Sequence, residues 1–140
     1  MDITTADLTN NQLVPKIQAE LLRHPEADWI RSPYTYATTL GIVPALGTRS
    51  GDIRVMGNEG FEPELDLIRT GKVTAVNVFF SDWAAWAGID AMNSAFRNEK
   101  PADSGMGWMI ADARHNLPPS GPLLPPVDYR AQFKRAWGVG

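Results

Sequence analysis

Residues 51–73 read GDIRVMGNEGFEPELDLIRTGKV, and the order of elements in this stretch decides the fold. Ile53, Val55 and Met56 form an apolar, strand-like run that ends in Gly57-Asn58-Glu59-Gly60. Phe61, Leu65 and Ile68 then recur at i, i+4 and i+7, the period of a helix face, and Thr70-Gly71 closes it. A strand over 53–57 that hands over at once to a helix over 61–69 is half of a βαβ unit. The glycines let the backbone turn sharply and approach a neighbour closely. Asn58 adds donors and acceptors, and Glu59 adds an acceptor for hydroxyls or amines. Two readings of this polar turn stay open: it caps the free amides of the following helix, or it contacts something held beyond the strand end.

Working outward, the same alternation continues. Val73 to Phe80, VTAVNVFF, is expected as a strand buried on both faces. Ser81 to Asn98 reads as a long helix, and Gly107 to Ala111 as a last strand. On the other side, Asn10 to Arg23 reads as a helix with Leu13, Val14, Ile17 and Leu21 on one side. With Asn11 as its N-cap, Pro15 falls in the first turn, where amides lack internal partners. Ala27 to Arg31 is a short strand. Tyr34 to Leu46 is a second helix weakened by Gly41 and Pro44, with Gly47 as its C-cap glycine. Strands and helices alternating at this spacing predict an α/β fold, a three-layer sandwich with a mainly parallel, Rossmann-like or flavodoxin-like sheet. The tail differs: 116–126 holds Pro118, Pro119, Pro122, Pro125 and Pro126 and predicts an extended surface arm. Asp128 to Trp137 follows as a terminal helix whose Tyr129, Phe133 and Trp137 stripe pins it to the body. The expected division is therefore an α/β lobe over 1–102 and an arm with a terminal helix over 103–140.

Composition narrows the function. The chain has 140 residues, 44% of them apolar, a net charge of −3 and no cysteine. A domain of this size hides roughly two-thirds of its unfolded surface, enough for a core. With no basic block, nucleic acid is not an expected partner. His24 and His115 lie far apart, so neither a metal site nor a cofactor is expected. There is no glycine-rich phosphate loop and no nucleophile elbow, which counts against an enzyme. Asp112-Ala113-Arg114-His115 reads as a surface loop, with an Asp112–Arg114 ion pair worth under about 1 kcal/mol.

Three strand ends carry the candidate site. One runs into Ser32-Pro33-Tyr34-Thr35-Tyr36, one into Asn58-Glu59-Gly60, and one into Ser81-Asp82-Trp83. Rings beside hydroxyls, amides and carboxylates suit a sugar, whose apolar face stacks while its hydroxyls bond. For each aromatic taken singly, ordinary packing is the competing reading.

The run from PEADWI through YTYATTLGIVPAL, followed by DIRVMGNEGFEPELDLIRTGKVTAVNVFFSDWAAWAGIDAMNSAF, is similar to the C-terminal half of type I periplasmic sugar-binding proteins of the ribose-binding kind. The ordered set of segments carries the likeness: Gly57-Asn58-Glu59-Gly60 in place of a G-x-D-G turn, Ile68-Arg69-Thr70-Gly71-Lys72 closing the helix, the strand from Val73 and the helix from Ser81. It covers roughly residues 1 to 100; the tail from Asp103 departs from that pattern. The resemblance implies the solute-binding component of an ABC importer, periplasmic or on the extracytoplasmic surface, that presents a sugar or polyol to its permease. It also implies a two-lobe parent of which this chain is one lobe, without an export signal in the residues at hand. Glu59 then stands at a position that accepts sugar hydroxyls, Tyr34 or Thr35 at one that follows the earlier strand, and Phe79 near another ligand position. Tyr34, Thr35, Asn58, Glu59, Phe79, Asp82 and Trp83 are the expected ligand-binding set. The effector core of a LacI-type regulator, which shares this fold, and a small α/β enzyme are the alternatives.

The helix from Ser81 carries an apolar stripe of Ala85, Gly88, Ile89, Met92, Ala95 and Phe96. Trp83 and Trp86 lie off it, either in the core or facing a lobe not contained in the chain. An exposed face of that kind leads to an expectation of self-association, a homodimer through the helix Ser81 to Asn98.

Overall fold

The computed structural model describes residues 3–139. They form α1 (Thr5–Thr9), α2 (Leu13–Arg23), β1 (Trp29–Arg31), α3 (Thr35–Ala37), α4 (Val43–Leu46), β2 (Arg54–Glu59), α5 (Glu62–Arg69), β3 (Ala75–Val78), α6 (Ser81–Phe96), β4 (Met109–Asp112) and α7 (Tyr129–Trp137). Two compact units result. One comprises Met1–Val78 with Met109–Leu123, the other Phe79–Trp108 with Leu124–Gly140. The units cut across the 1–102 and 103–140 division expected from the sequence, because β4 of the tail pairs with β3.

The first unit is built on a four-stranded sheet in the order β1-β2-β3-β4. β1, β2 and β3 run parallel, with Ile30 beside Val55 and Asn58 beside Asn77. β4 closes the sheet antiparallel to β3. The fold is α/β with a mainly parallel sheet, as the alternating pattern predicted. Val55, Leu65 and Val76 are fully buried, and Leu13 and Ile17 of α2 are nearly so. Each such side chain contributes roughly 1.5–3 kcal/mol. β3 is not buried on both faces: Val76 and Val78 enter the core, while Ala75 and Asn77 stay half-buried. Asn77 uses that second face for a polar contact.

Three local differences from the sequence reading have physical causes. α2 starts at Leu13 with Gln12 before it, because Asn11 takes a left-handed turn at φ +55°; Pro15 still falls in the first turn. The second helix is broken by a π turn, Thr38–Ile42, in which the Val43 amide donates back to Thr38. Pro44 has no amide, and its ring crowds the carbonyl four residues earlier, so the wider turn accommodates it. Asp112 pairs with His115 and not with Arg114: its Oδ1 accepts from the Arg114 and His115 amides at 2.7 and 2.8 Å and lies 3.0 Å from His115 Nδ1. The Arg114 amide first, then His115, hold the Asp112 carboxyl below its ordinary value. The proline-rich arm is irregular, as expected, and Arg69 of α5 holds it by donating to the Pro118 and Gly121 carbonyls at 3.1 and 2.6 Å.

The second unit is a pair of helices. Asp128 caps α7 by accepting from the Ala131 amide at 2.9 Å. The Tyr129, Phe133 and Trp137 stripe does pin this helix, and its partner is α6. Trp83 stacks on Tyr129 at 5.3 Å, and Trp86 on Trp137 at 5.3 Å. Trp137 Nε1 donates to Asp90 at 2.6 Å, and Arg130 to Asp82 at 2.8 Å. The tryptophans are thus packed within the unit. The stripe Ala85, Gly88, Ile89, Met92, Ala95 and Phe96 is instead exposed along its whole length, Phe96 at 81%.

Candidate functional site

Because β1, β2 and β3 are parallel, their carboxyl ends share one edge of the sheet. The loops after β1 and β2 meet there. Asn58 Nδ2 donates to the Pro33 carbonyl at 2.8 Å, and Asn58 Oδ1 accepts from Asn77 Nδ2 at 3.1 Å. Glu59 Oε2 accepts the Thr35 amide at 2.9 Å. Neither Asn58 nor Glu59 caps α5, whose first position receives no side-chain bond. They tie one strand–helix loop to the next.

The carboxylate that organises this edge is Glu64, which sequence reasoning missed. It is fully buried. Its two oxygens take four donors: the hydroxyls of Thr35 and Thr38 at 2.9 and 2.5 Å, and the amides of Asn58 and Gly60, both at 3.1 Å. A buried charge is tolerated when its lone pairs are filled in this way. The Gly57-to-Gly60 turn is shaped around it. A Cβ at Gly57 would strike Glu64 Oε1 and come within 2.8 Å of Cδ, and one at Gly60, where φ is +73°, would meet Val78 at 2.8 Å.

Glu59 lies in a left-handed conformation, φ +87°. For a residue with a long side chain this costs on the order of 1–3 kcal/mol and collects at ligand-binding positions. Among the described residues its Oε1 has no hydrogen bond, and the side chain is half-buried. Tyr34, next in sequence to Thr35, is 61% exposed, and Phe61, next in sequence to Gly60, is 45% exposed.

The other expected site residues divide as follows. Thr35 is buried with its amide on Glu59 and its hydroxyl on Glu64, so it positions other groups. Phe79, Asp82 and Trp83 belong to the second unit. Phe79 packs on Trp108, 5.4 Å between rings; Asp82 binds Arg130; Trp83 is buried, with Nε1 donating to the Ser104 carbonyl at 3.1 Å. Trp83 is therefore a packing residue. Asn77 joins the first-unit edge unforeseen, although an asparagine inside an apolar strand was a readable signal.

No protein-family model and no curated protein matches the sequence. Solved structures do match. An ABC-transporter solute-binding protein from Agrobacterium vitis with bound D-fucose superposes with a TM-score of 0.63 at 15% identity, over 76% of this chain and 38% of its own. A periplasmic solute-binding protein from Actinobacillus succinogenes 130z with bound D-allose gives 0.62 at 15% identity, over 74% of this chain and 37% of its own. A periplasmic ribose ABC transporter from Conexibacter woesei DSM 14684 gives 0.58 at 21% identity, over 74% and 36%. The chain has the fold of these sugar solute-binding proteins. It spans little more than a third of their length, so the solute-binding-protein fold is represented here in part.

Proposed function

We propose that this chain is one lobe of the solute-binding component of an ABC importer, binding a sugar or related polyol without chemical turnover. The carrying observation is Glu59. On a solute-binding-protein fold, at the edge where parallel sheets receive ligands, a strained carboxylate keeps one oxygen uncommitted beside Asn58. Carboxylate and amide groups of this kind accept and share sugar hydroxyls, and Tyr34 offers a ring for the apolar face. Thr35 holds Glu59 through its amide. In the second unit, taken by itself, Phe79 is proposed as a ligand residue, with Trp108 packed on its ring; Asp82 and Trp83 are engaged by Arg130, Ser104 and Tyr129. The parent works outside the cytoplasmic membrane and delivers its solute to a permease. The open stripe of α6 mediates self-association of this chain.

Titration with D-ribose, D-allose and D-fucose, followed by amide chemical shifts, tests the site. Millimolar binding, worth about 4 kcal/mol, is expected from half of a cleft, with shifts centred on Asn58 and Glu59 and lost in Glu59→Ala. Shifts centred elsewhere, or none with all three sugars, would remove this reading. Light scattering tests the α6 surface: a monomer at high concentration, unchanged by Met92→Asp, would exclude it.

A further inference from the structure

We propose that Glu64 is the positioning residue of the candidate site: fully buried and out of a solute's reach, it holds Glu59 in the left-handed turn that leaves Oε1 uncommitted. The proposal deepens the sugar-site reading and rests on it for the role of Glu59. The pairing of β2 with β3 ends at Glu59, beside Val78. From there the sheet no longer guides the chain, and two residues in succession, Glu59 and Gly60, take positive φ at +87° and +73°. Glycine adopts this region freely; glutamate does so only where its surroundings over-determine it.

Those surroundings converge on Glu64. The amides on either side of Glu59 donate to the two oxygens of one carboxylate, Asn58 N–H to Oε1 and Gly60 N–H to Oε2, both at 3.1 Å. In an extended chain these amides would stand about 6.6 Å apart; the curl at Glu59 lets one carboxylate take both. Thr35 supplies a third hold. Its hydroxyl donates to Glu64 Oε2 and its amide to Glu59 Oε2, each at 2.9 Å. The buried carboxylate thus governs the backbone of Glu59 through its two neighbours, and its side chain through Thr35. Bonds to a charged acceptor are the stronger kind, which is what a strained backbone needs to persist. The competing reading is a plain helix cap. Glu64 is the third residue of α5, where a capping box would turn it back to the amide of Phe61. It reaches past Phe61 to Gly60 and Asn58 instead.

Glu64→Gln tests this in the whole chain. The variant keeps the side chain's shape, but its NH2 faces one hydroxyl and one amide. The hydroxyl turns round to accept; the amide has no such option. One hold on Glu59 is therefore lost. Ile68→Val, one turn further along α5, is the control, because it lowers stability through packing alone. Three-bond and residual dipolar couplings of Glu59 read its φ without any sugar. They are expected to leave the left-handed range in Glu64→Gln and to stay there in Ile68→Val. Affinity for whichever of D-ribose, D-allose and D-fucose binds the native protein is expected to fall about tenfold in Glu64→Gln, as fewer molecules keep the competent turn, and to hold in Ile68→Val. An unchanged φ at Glu59 in Glu64→Gln overturns the proposal. So does an equal change in Ile68→Val, or a shifted φ with unchanged affinity. The native Asn58 and Gly60 amides give a measurement that needs no variant: slow exchange is expected, and fast exchange at both overturns the proposal. If the native protein binds none of the three sugars, the sugar reading falls alone, and φ at Glu59 still decides whether Glu64 sets the turn.

Discussion

Two buried polar groups, one in each unit, make opposite arrangements. Glu64, under the carboxyl edge of the sheet, receives four donors. Tyr129, at the start of α7, buries its hydroxyl with no hydrogen-bond partner among the described residues. Both side chains are almost fully shielded from water. The difference shows what each region relies on. The strand–helix junction is held by a saturated polar network, so its geometry is specified atom by atom. The helix pair is held by ring stacking between α6 and α7, and the tyrosine is kept for its ring at the expense of its hydroxyl.

The comparison breaks most sharply at Glu64. Glu64→Ala leaves the Asn58 and Gly60 amides without their acceptor and the Thr35 and Thr38 hydroxyls with only the Asn58 and Tyr34 carbonyls, and a loss of about 3–5 kcal/mol is expected, by analogy with breaking other buried charged networks. Urea unfolding measures it; a loss below about 1 kcal/mol would mean that water replaces the carboxylate. Next comes Gly57→Ala. The added methyl collides with the same carboxylate, and overpacking of this kind costs about 1–3 kcal/mol. Combined with Glu64→Ala, its cost should shrink, since the colliding group is gone; additive losses in the double variant would show that the two do not interact.

Tyr129→Phe should move stability the other way, by about 1 kcal/mol upward, because it removes an unpaired buried hydroxyl and keeps the ring. It should also change the alkaline limb. Burial first, against a smaller opposing effect of Arg130, pushes the Tyr129 phenol above its ordinary value of 10.0. The folded state therefore holds its proton more tightly than the unfolded state. That contribution is complete below pH about 10 and is lost as pH rises beyond it. Thermal unfolding from pH 8 upward should fall more steeply in the native protein than in Tyr129→Phe. Equal slopes would mean that the phenol titrates alike in the folded and unfolded states and is not shielded from water.

The smallest effect is at α1. Thr4 and Asp7 form a capping box, and Lys16 donates to Asp7 at 2.8 Å. The Lys16 bond first, then the Thr4 amide and hydroxyl, lower the Asp7 carboxyl from 3.8 to about 2. A lowered folded value means that the contribution is present above about pH 3.8 and disappears as pH falls towards 2. Amide exchange at Thr4 and Asp7 should speed up over that window alone, and Lys16→Met should move its midpoint upward. An unmoved midpoint would put the bond to Lys16 aside.

Local chemistry carried a large part of the fold in the sequence itself. The i, i+4, i+7 spacing of Phe61, Leu65 and Ile68 marked α5 and its apolar face, the stripe of Tyr129, Phe133 and Trp137 marked α7, and the strand–helix alternation required a mainly parallel sheet. These features depend on residues a few positions apart, which the chain displays directly. The carboxyl-edge position of Asn58 and Glu59 followed from the same alternation.

Long-range partners decided the rest. Nothing in the local sequence separates Glu64 from Glu62 and Asp66 of the same helix, and only donors 26 and 29 residues away, Thr38 and Thr35, make it internal. The two apolar faces of α6 were equally readable. Which one became covered was settled by α7, some fifty residues on, whose aromatic stripe stacks on Trp83 and Trp86 and leaves Ile89, Met92 and Phe96 in water. Hydrophobicity is non-directional and names no partner, so the chain can state that a face is apolar, while only packing in three dimensions chooses what lies against it.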